Sequence, residues 1–171
     1  MSAHKKNKRG VTLAELICVL ALLGILGGLA GTAMYSAGKQ YQSAMDLNSA
    51  KAAVDTMQLQ LTNQLRYVKG PVAVYGMGLT GATVLQTYDG KLWKWVGYEP
   101  RTDFFADMPE IYAGFDYEIS FTTAQENSVV FHFSVMRGQK QIYSTDYTLH
   151  FLNAAVTPYG HPGQFTLYYY P

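Results

Sequence analysis

Cysteine is almost absent from this chain. Cys18 is the single one among 171 residues, so no internal disulfide is available and the fold must be held by packing. Proline is missing from the whole stretch between Val11 and Gly70, which leaves it free of the residue that most disrupts helices. Acids are missing from the first ten residues, which carry Lys5, Lys6, Lys8 and Arg9, and charge of either sign is missing from Leu16 to Gly38. The averages, 49% hydrophobic and 15% charged with a net charge of +1, exclude a disordered chain and a polytopic membrane protein. They also conceal an asymmetry. Without the first ten residues, nine bases face twelve acids, a net of −3. An acidic chain of this kind is a poor nucleic-acid surface, so no nucleic-acid partner is expected. The length suits one domain with a core of its own, with or without an appendage.

The uncharged run decides the class. Leu16 to Met34 is nineteen residues, almost all apolar, close to the roughly 20 that a helix needs to cross a bilayer. The basic cluster before it is expected to stay cytoplasmic. Two ordinary readings fit these features: a cleavable secretory signal, with Ala30-Gly31-Thr32-Ala33 as a small-residue site, and an uncleaved signal anchor. A lipoprotein signal fits less well, because Glu15-Leu16-Ile17 precedes Cys18 where small residues are wanted. Glu15 is the odd residue. A carboxylate at the margin of a membrane segment is costly and implies a partner, yet no base lies between it and Lys39. The plain alternative puts Glu15 in the headgroup zone beside the leader bases.

The string from Lys8 to Leu26, KRGVTLAELICVLALLGIL, resembles the prepilin signal of type IV pilins and pseudopilins. In that family a short basic leader ends in glycine, the mature chain begins at the next residue, and a glutamate stands fifth after the junction. The resemblance implies cleavage between Gly10 and Val11 by an inner-membrane prepilin peptidase, N-methylation of Val11, and single-pass residence in membrane lipid with an extracytoplasmic head. It further implies assembly through the N-terminal helix into an extracellular pilus or pseudopilus, with other pilin subunits and an inner-membrane assembly platform as partners. Glu15 would then pair with the Val11 amine of a neighbouring subunit and set subunit register, since opposite charges interact far more strongly in a water-poor core. Val11 replaces the family's usual phenylalanine. In place of the proline common in the second half of this helix stand Gly24, Gly27, Gly28 and Gly31. Interior glycines weaken a helix, and the pairs Gly24/Gly28 and Gly27/Gly31 permit close helix contact.

Beyond this segment the apolar residues Tyr41, Ala44, Leu47, Ala50, Val54, Met57, Leu61 and Leu65 recur at spacings of three or four. They mark one face of a helix running from about Thr12 to Arg66 and ended by Gly70-Pro71. The domain organisation expected is a cleaved leader over 1–10, a membrane and filament helix over 11–38, an amphipathic helix over 39–69 and a sheet head over 70–171.

After Pro71 the period falls to two. Thr83 to Tyr88 and Lys91 to Val96 flank Asp89-Gly90, a two-residue hairpin signal. Tyr117, Ile119, Phe121 and Thr123 form one alternating face, Val129, Phe131, Phe133 and Val135 a second, and Tyr143, Thr145, Tyr147, Leu149 and Phe151 a third. A last short strand is expected within Phe165 to Tyr170. The pattern predicts an antiparallel meander with one apolar face, packed on the helix stripe in an α+β fold, which is also the architecture that the resemblance implies.

Catalytic chemistry is scarce. There is no nucleophile motif and no phosphate-binding glycine loop. His132 and His150 fall on neighbouring strands about four residues out of opposition, without the Cys, Asp or Glu spacing of a metal cluster. Asp103, Asp107 and Glu110 lack the Asp/Asn/Gly pattern of a calcium loop and read as a solvated acidic loop. No metal, cofactor or enzymatic activity is expected. Trp93, Trp95 and the tyrosines read as packing or subunit-contact residues in preference to a sugar-binding face, and Tyr168-Tyr169-Tyr170 resists absorption into a single core because consecutive residues point to opposite faces. The expected function is that of a structural filament subunit, a minor pilin or pseudopilin of a pilus, competence or secretion-type system. A membrane-anchored extracellular binding domain with an uncleaved signal anchor is the alternative. An exported enzyme carrying such a signal comes third.

Overall fold

An uninterrupted helix needs a start, a proline-free interior and a stop, and the chain supplies all three. In the computed structural model, which describes residues 12–73, 81–97, 99–112, 114–125, 127–153, 157–158 and 166–170, helix α1 runs over Leu13–Leu65. Its exit is fastened from far along the chain. The Arg66 carbonyl accepts from Leu152 N at 3.0 Å, and the Tyr67 carbonyl from the Asn153 side chain at 3.1 Å. Carbonyls left over at a helix end thereby gain partners.

The chain divides into two compact units between Met45 and Asp46, within α1. The first, in its described part, is helix alone. The second holds the last twenty residues of α1 and every strand. Strands β1 (Lys69–Ala73), β2 (Thr83–Tyr88), β3 (Lys91–Val96), β4 (Thr102–Asp103), β8 (Thr157–Pro158) and β9 (Thr166–Tyr170) form a six-stranded sheet in the order β4-β3-β2-β9-β1-β8. Strands β5 (Asp116–Gln125), β6 (Ser128–Arg137) and β7 (Lys140–His150) form a separate three-stranded sheet, and a short 3-10 helix, Pro109–Tyr112, precedes β5.

The α+β class agrees with the expectation, but the single meander does not. The β5-β6-β7 sheet is one, and in the six-stranded sheet β2, β3 and β4 follow the same order. In the other sheet β9 inserts between β2 and β1, antiparallel to both, and β1 pairs with β8 in parallel. A central strand has both faces to cover, and this resolves the terminal tyrosines. Tyr169 joins the main core, while Tyr168, on the opposite face, is buried with Ala82 and Val84 in a second small cluster, against which the half-buried Trp95 packs. The final strand thus carries two cores at once.

The β2–β3 hairpin follows its sequence signal closely. Asp89 and Gly90 both adopt positive φ, 51° and 71°, as the two-residue turn favoured by strand twist requires. Gly90 has a further duty. Its carbonyl accepts from Ile119 N at 2.8 Å, and a Cβ there would lie 2.8 Å from the Tyr117 carbonyl oxygen. The hairpin tip therefore docks on β5 and links the two sheets.

The core forms where the helix stripe meets both sheets. Ala50, Val54, Met57, Leu61 and Leu65 are buried on α1 and cluster with Leu85, Leu92 and Leu167 from one sheet and Ile119, Phe121, Phe131 and Phe133 from the other. Each fully buried aliphatic or aromatic side chain of this kind contributes about 1.5–3 kcal/mol. The stripe expected from Tyr41 onward is covered only from Ala50. Tyr41 is 68% exposed and Leu47 is 43% exposed.

Candidate functional site

The expected processing site has two parts, and only one lies in the described residues. Gly10 and Val11, the predicted scissile pair, lie outside them. Thr12 and Glu15 are described, and they form a reciprocal cap. Glu15 Oε2 accepts from Thr12 N at 2.9 Å and from Thr12 Oγ1 at 3.1 Å, while Thr12 Oγ1 accepts from Glu15 N at 3.3 Å. The Thr12 carbonyl begins the helical ladder by accepting from Leu16 N. This is a capping box, in which two otherwise unpaired donors at a helix N-terminus are satisfied by residues three apart. The partner that Glu15 requires is thus present within its own first turn. The Thr-x-x-Glu spacing before an apolar run was the signal for it, and a reading that treats Glu15 only as an isolated charge misses Thr12.

Behind the cap, α1 presents apolar side chains in every direction. All ten large apolar residues from Leu13 to Leu29 are more than half exposed, far beyond what a water-soluble surface carries without a partner. By length and composition this helix is able to cross a membrane. Gly24, Gly27, Gly28 and Gly31 lie in it, and a Cβ added at any of the four meets nothing within 4 Å. The helix is continuous through them. Their small surfaces are open, which suits close approach by another helix.

The head gathers three polar clusters. Arg137, at the end of β6, pairs through Nη1 with Asp46 Oδ2, and its guanidinium lies 4.8 Å from the Phe115 ring centroid. Asp46 is the first residue of the second unit and its side chain is 14% exposed, so this pair ties the entering helix to the β6–β7 turn. Asp103 does not belong to a merely solvated loop. Its Oδ1 accepts from Phe105 N and from the Tyr112 hydroxyl, both at 2.9 Å. Burial, followed by this bond to Asp103, pushes the Tyr112 phenol well above its ordinary range. Tyr117 donates to the Ile111 carbonyl, and burial pushes its phenol up to about 12.

His132 and His150 do not meet. His132 pairs with Asp146 and His150 with Ser128, the four-residue offset that the turn spacing implied. Instead His132 bridges two other residues: Nδ1 lies 2.7 Å from Asp146 Oδ1 and Nε2 lies 3.2 Å from Thr122 Oγ1. A hydroxyl, an imidazole and a carboxylate in that order have the outline of a nucleophile relay. The side chains of His132 and Asp146 are 40% and 69% exposed, however, so water reaches the pair. Among the described residues no group of three or more His, Cys, Asp or Glu side chains comes together to hold a metal.

Comparison with known proteins bears on the N-terminus alone. The family model of the prokaryotic N-terminal methylation motif matches residues 5–31. Neither a curated protein nor a solved structure matches the chain. The matched segment contains the basic cluster, Gly10, the Thr12–Glu15 cap and all four glycines. The chain thus carries at its N-terminus the class III processing and methylation signal of type IV pilins and pseudopilins, set on the end of one long apolar helix.

Proposed function

We propose that this chain is a structural subunit, a minor pilin or pseudopilin, of a type IV pilus, competence or type II secretion-like filament. Prepilin peptidase cleaves it between Gly10 and Val11, and the new Val11 amine is methylated. Until assembly the 11–38 segment anchors the chain in the inner membrane with the head outside. The observation that carries the reading is the coincidence, within residues 5–31, of the methylation motif, a capped helix start at Thr12 and Glu15, and an exposed apolar surface. A helix of this surface needs lipid before assembly and other helices after it.

In this scheme Glu15 has two successive partners. The Thr12 cap holds its carboxylate at the helix start in the single subunit, so the charge is placed and oriented before a neighbouring Val11 amine arrives. Pairing between subunits then sets register more than it adds stability, because desolvation of the two charges offsets much of their attraction. Gly24/Gly28 and Gly27/Gly31 allow the helices to approach closely.

Mass spectrometry of the mature N-terminus tests the processing step. The expected terminus is Val11 with one methyl group. An intact leader or a terminus near Ala33 overturns the proposal in favour of a signal anchor or an ordinary secretory signal. For Glu15, the Glu15→Ala chain should still be cleaved and membrane-bound yet absent from sheared filaments. Normal recovery in filaments would sink the register role.

A further inference from the structure

The uncharged stretch of α1 has a defined far end, and the side chains there make a contact that the filament reading does not use. Lys39 is the first charged residue after Glu15. Its ammonium folds back by one turn and lies 4.5 Å from the centroid of the Tyr35 ring. Helix side chains lean toward the N-terminus, so this charge sits at the level of Tyr35. Glu15 leans back in the same way onto Thr12. The two charges are therefore separated by the rise from Thr12 to Tyr35, about 35 Å at about 1.5 Å per residue. That length clears the hydrocarbon of a bilayer, about 30 Å, and stays within its headgroup limits of about 40–45 Å.

The polar side chains keep to the same boundary. Between Leu16 and Met34 the one hydroxyl is that of Thr32. It donates to the Leu29 carbonyl at 2.9 Å, inside its own helix, which leaves it no unmet demand in lipid. From Ser36 onward polar residues are frequent, and Gln40 donates to Ser36 at 3.4 Å. Tyr35 and Tyr41, both exposed, flank Lys39. Six residues apart, they point about 120° away from each other around the helix. A protein packed on one side of the helix reaches one of them, whereas a lipid layer surrounds both.

From these positions we infer that Tyr35, Lys39 and Tyr41 form a belt that binds the phosphate layer of the phospholipid headgroups and fixes the depth of the helix. The Lys39 ammonium takes a lipid phosphate in a charge-assisted bond. The Tyr35 ring holds that charge at phosphate level through its cation–π contact. Tyrosine, with an apolar ring and a polar tip, suits the boundary between acyl chains and water. The span then ends at Tyr35, three residues before the limit of 38 expected for the membrane segment. The inference rests on the membrane-anchored stage of the proposed function, and adds to it where the bilayer ends and which chemistry holds the helix there.

The test is spin-label depth measurement on the full-length chain in a Cys18→Ala background, reconstituted at high dilution in vesicles of phosphatidylethanolamine and phosphatidylglycerol. Collision with oxygen, set against collision with a water-soluble nickel chelate, gives the depth of a nitroxide at Ala37→Cys and, separately, at Leu23→Cys. The Ala37 label is expected within about 5 Å of the phosphate level and the Leu23 label near the bilayer centre. Tyr35→Leu, Lys39→Leu and Tyr41→Leu together should draw the Ala37 label inward by at least about 3 Å, two residues of helix rise. Tyr35→Trp, Lys39→Arg and Tyr41→Trp together should leave it in place, because ring and charge are both kept. An Ala37 label inside the hydrocarbon, or far out in water, while Leu23 is central overturns the belt and leaves the anchor standing. A Leu23 label in water overturns the anchor and the belt with it. Unchanged depth in the triple leucine chain also overturns the belt, and so does spin–spin broadening between Ala37 labels, which puts a second copy where lipid is expected.

Discussion

The two stretches of α1 share one backbone conformation and differ in almost everything else. From Leu13 to Met45 the helix is the more apolar, and its leucines and isoleucines are exposed. From Asp46 to Leu65 it carries Lys51, Asp55 and several amides, yet Ala50, Val54, Met57, Leu61 and Leu65 are fully buried. Hydrophobicity therefore does not decide burial within this helix. The second stretch follows a three-and-four spacing that puts its apolar residues on one face, and the two sheets present a matching face. The first is apolar all round, a pattern that no single packed face can satisfy and that belongs in lipid or among other helices.

The sharpest way to break this comparison is to truncate a leucine in each stretch. Leu61→Ala should destabilise the head by about 2–5 kcal/mol, the cost of a cavity in a packed core. Leu22→Ala should leave head stability within about 0.5 kcal/mol, because no packed contact is lost. Urea unfolding in detergent, followed by Trp93 and Trp95 fluorescence, reads both. Equal effects would mean that the helix stretches are not energetically distinct.

A smaller effect is expected at the boundary. Arg137→Ala removes the partner of Asp46 and the guanidinium over Phe115. About 1–2 kcal/mol is expected from the loss of a charge-assisted bond to a mostly buried carboxylate, discounted because Arg137 itself is 45% exposed. Hydrogen exchange should rise first in the turn of α1 around Asp46 to Ala50. A uniform rise across the head would instead mark Arg137 as an ordinary stabilising residue and dissolve the boundary.

The gentlest test is alkaline pH, which acts on the head alone. Burial pushes the phenols of Tyr117 and Tyr169 up to about 12, and Tyr112 is raised by burial and by Asp103. An unfolded chain releases these protons near pH 10. Between about pH 10 and 12 the folded head therefore holds protons that the unfolded chain has lost, so this part of the stability is complete below pH 10 and declines as pH rises toward 12. The urea midpoint should be level from pH 8 to 10 and fall at pH 11. A midpoint that does not fall contradicts the burial of these rings.

Local structure was legible residue by residue. The helix bounds were expected within one residue of Leu13–Leu65, and β2 and β3 lie where the Asp89-Gly90 turn puts them. The offset of His132 from His150 followed from a short turn, because a hairpin turn sets register for both strands. The Thr12–Glu15 cap was not expected, although its Thr-x-x-Glu spacing carries the signal. What escaped were pairings between distant segments. Nothing near Thr166 says that it will lie between β2 and β1, and nothing near Asp46 points to Arg137, 91 residues away. The His132 bridge escaped for the same reason: Thr122, His132 and Asp146 are unremarkable singly and adjacent only across three strands.

The sequence by itself determined the N-terminal methylation motif, the apolar helix, the change of period after Pro71 and the hairpins, since each rests on interactions within a few residues. Tertiary structure alone decided that β9 would be a central strand with a core on each side, that the helix stripe would be covered from Ala50 and not from Tyr41, and that Thr122, His132 and Asp146 would meet across three strands. Those outcomes depend on which distant surfaces meet, and propensity and periodicity act too locally to choose among them.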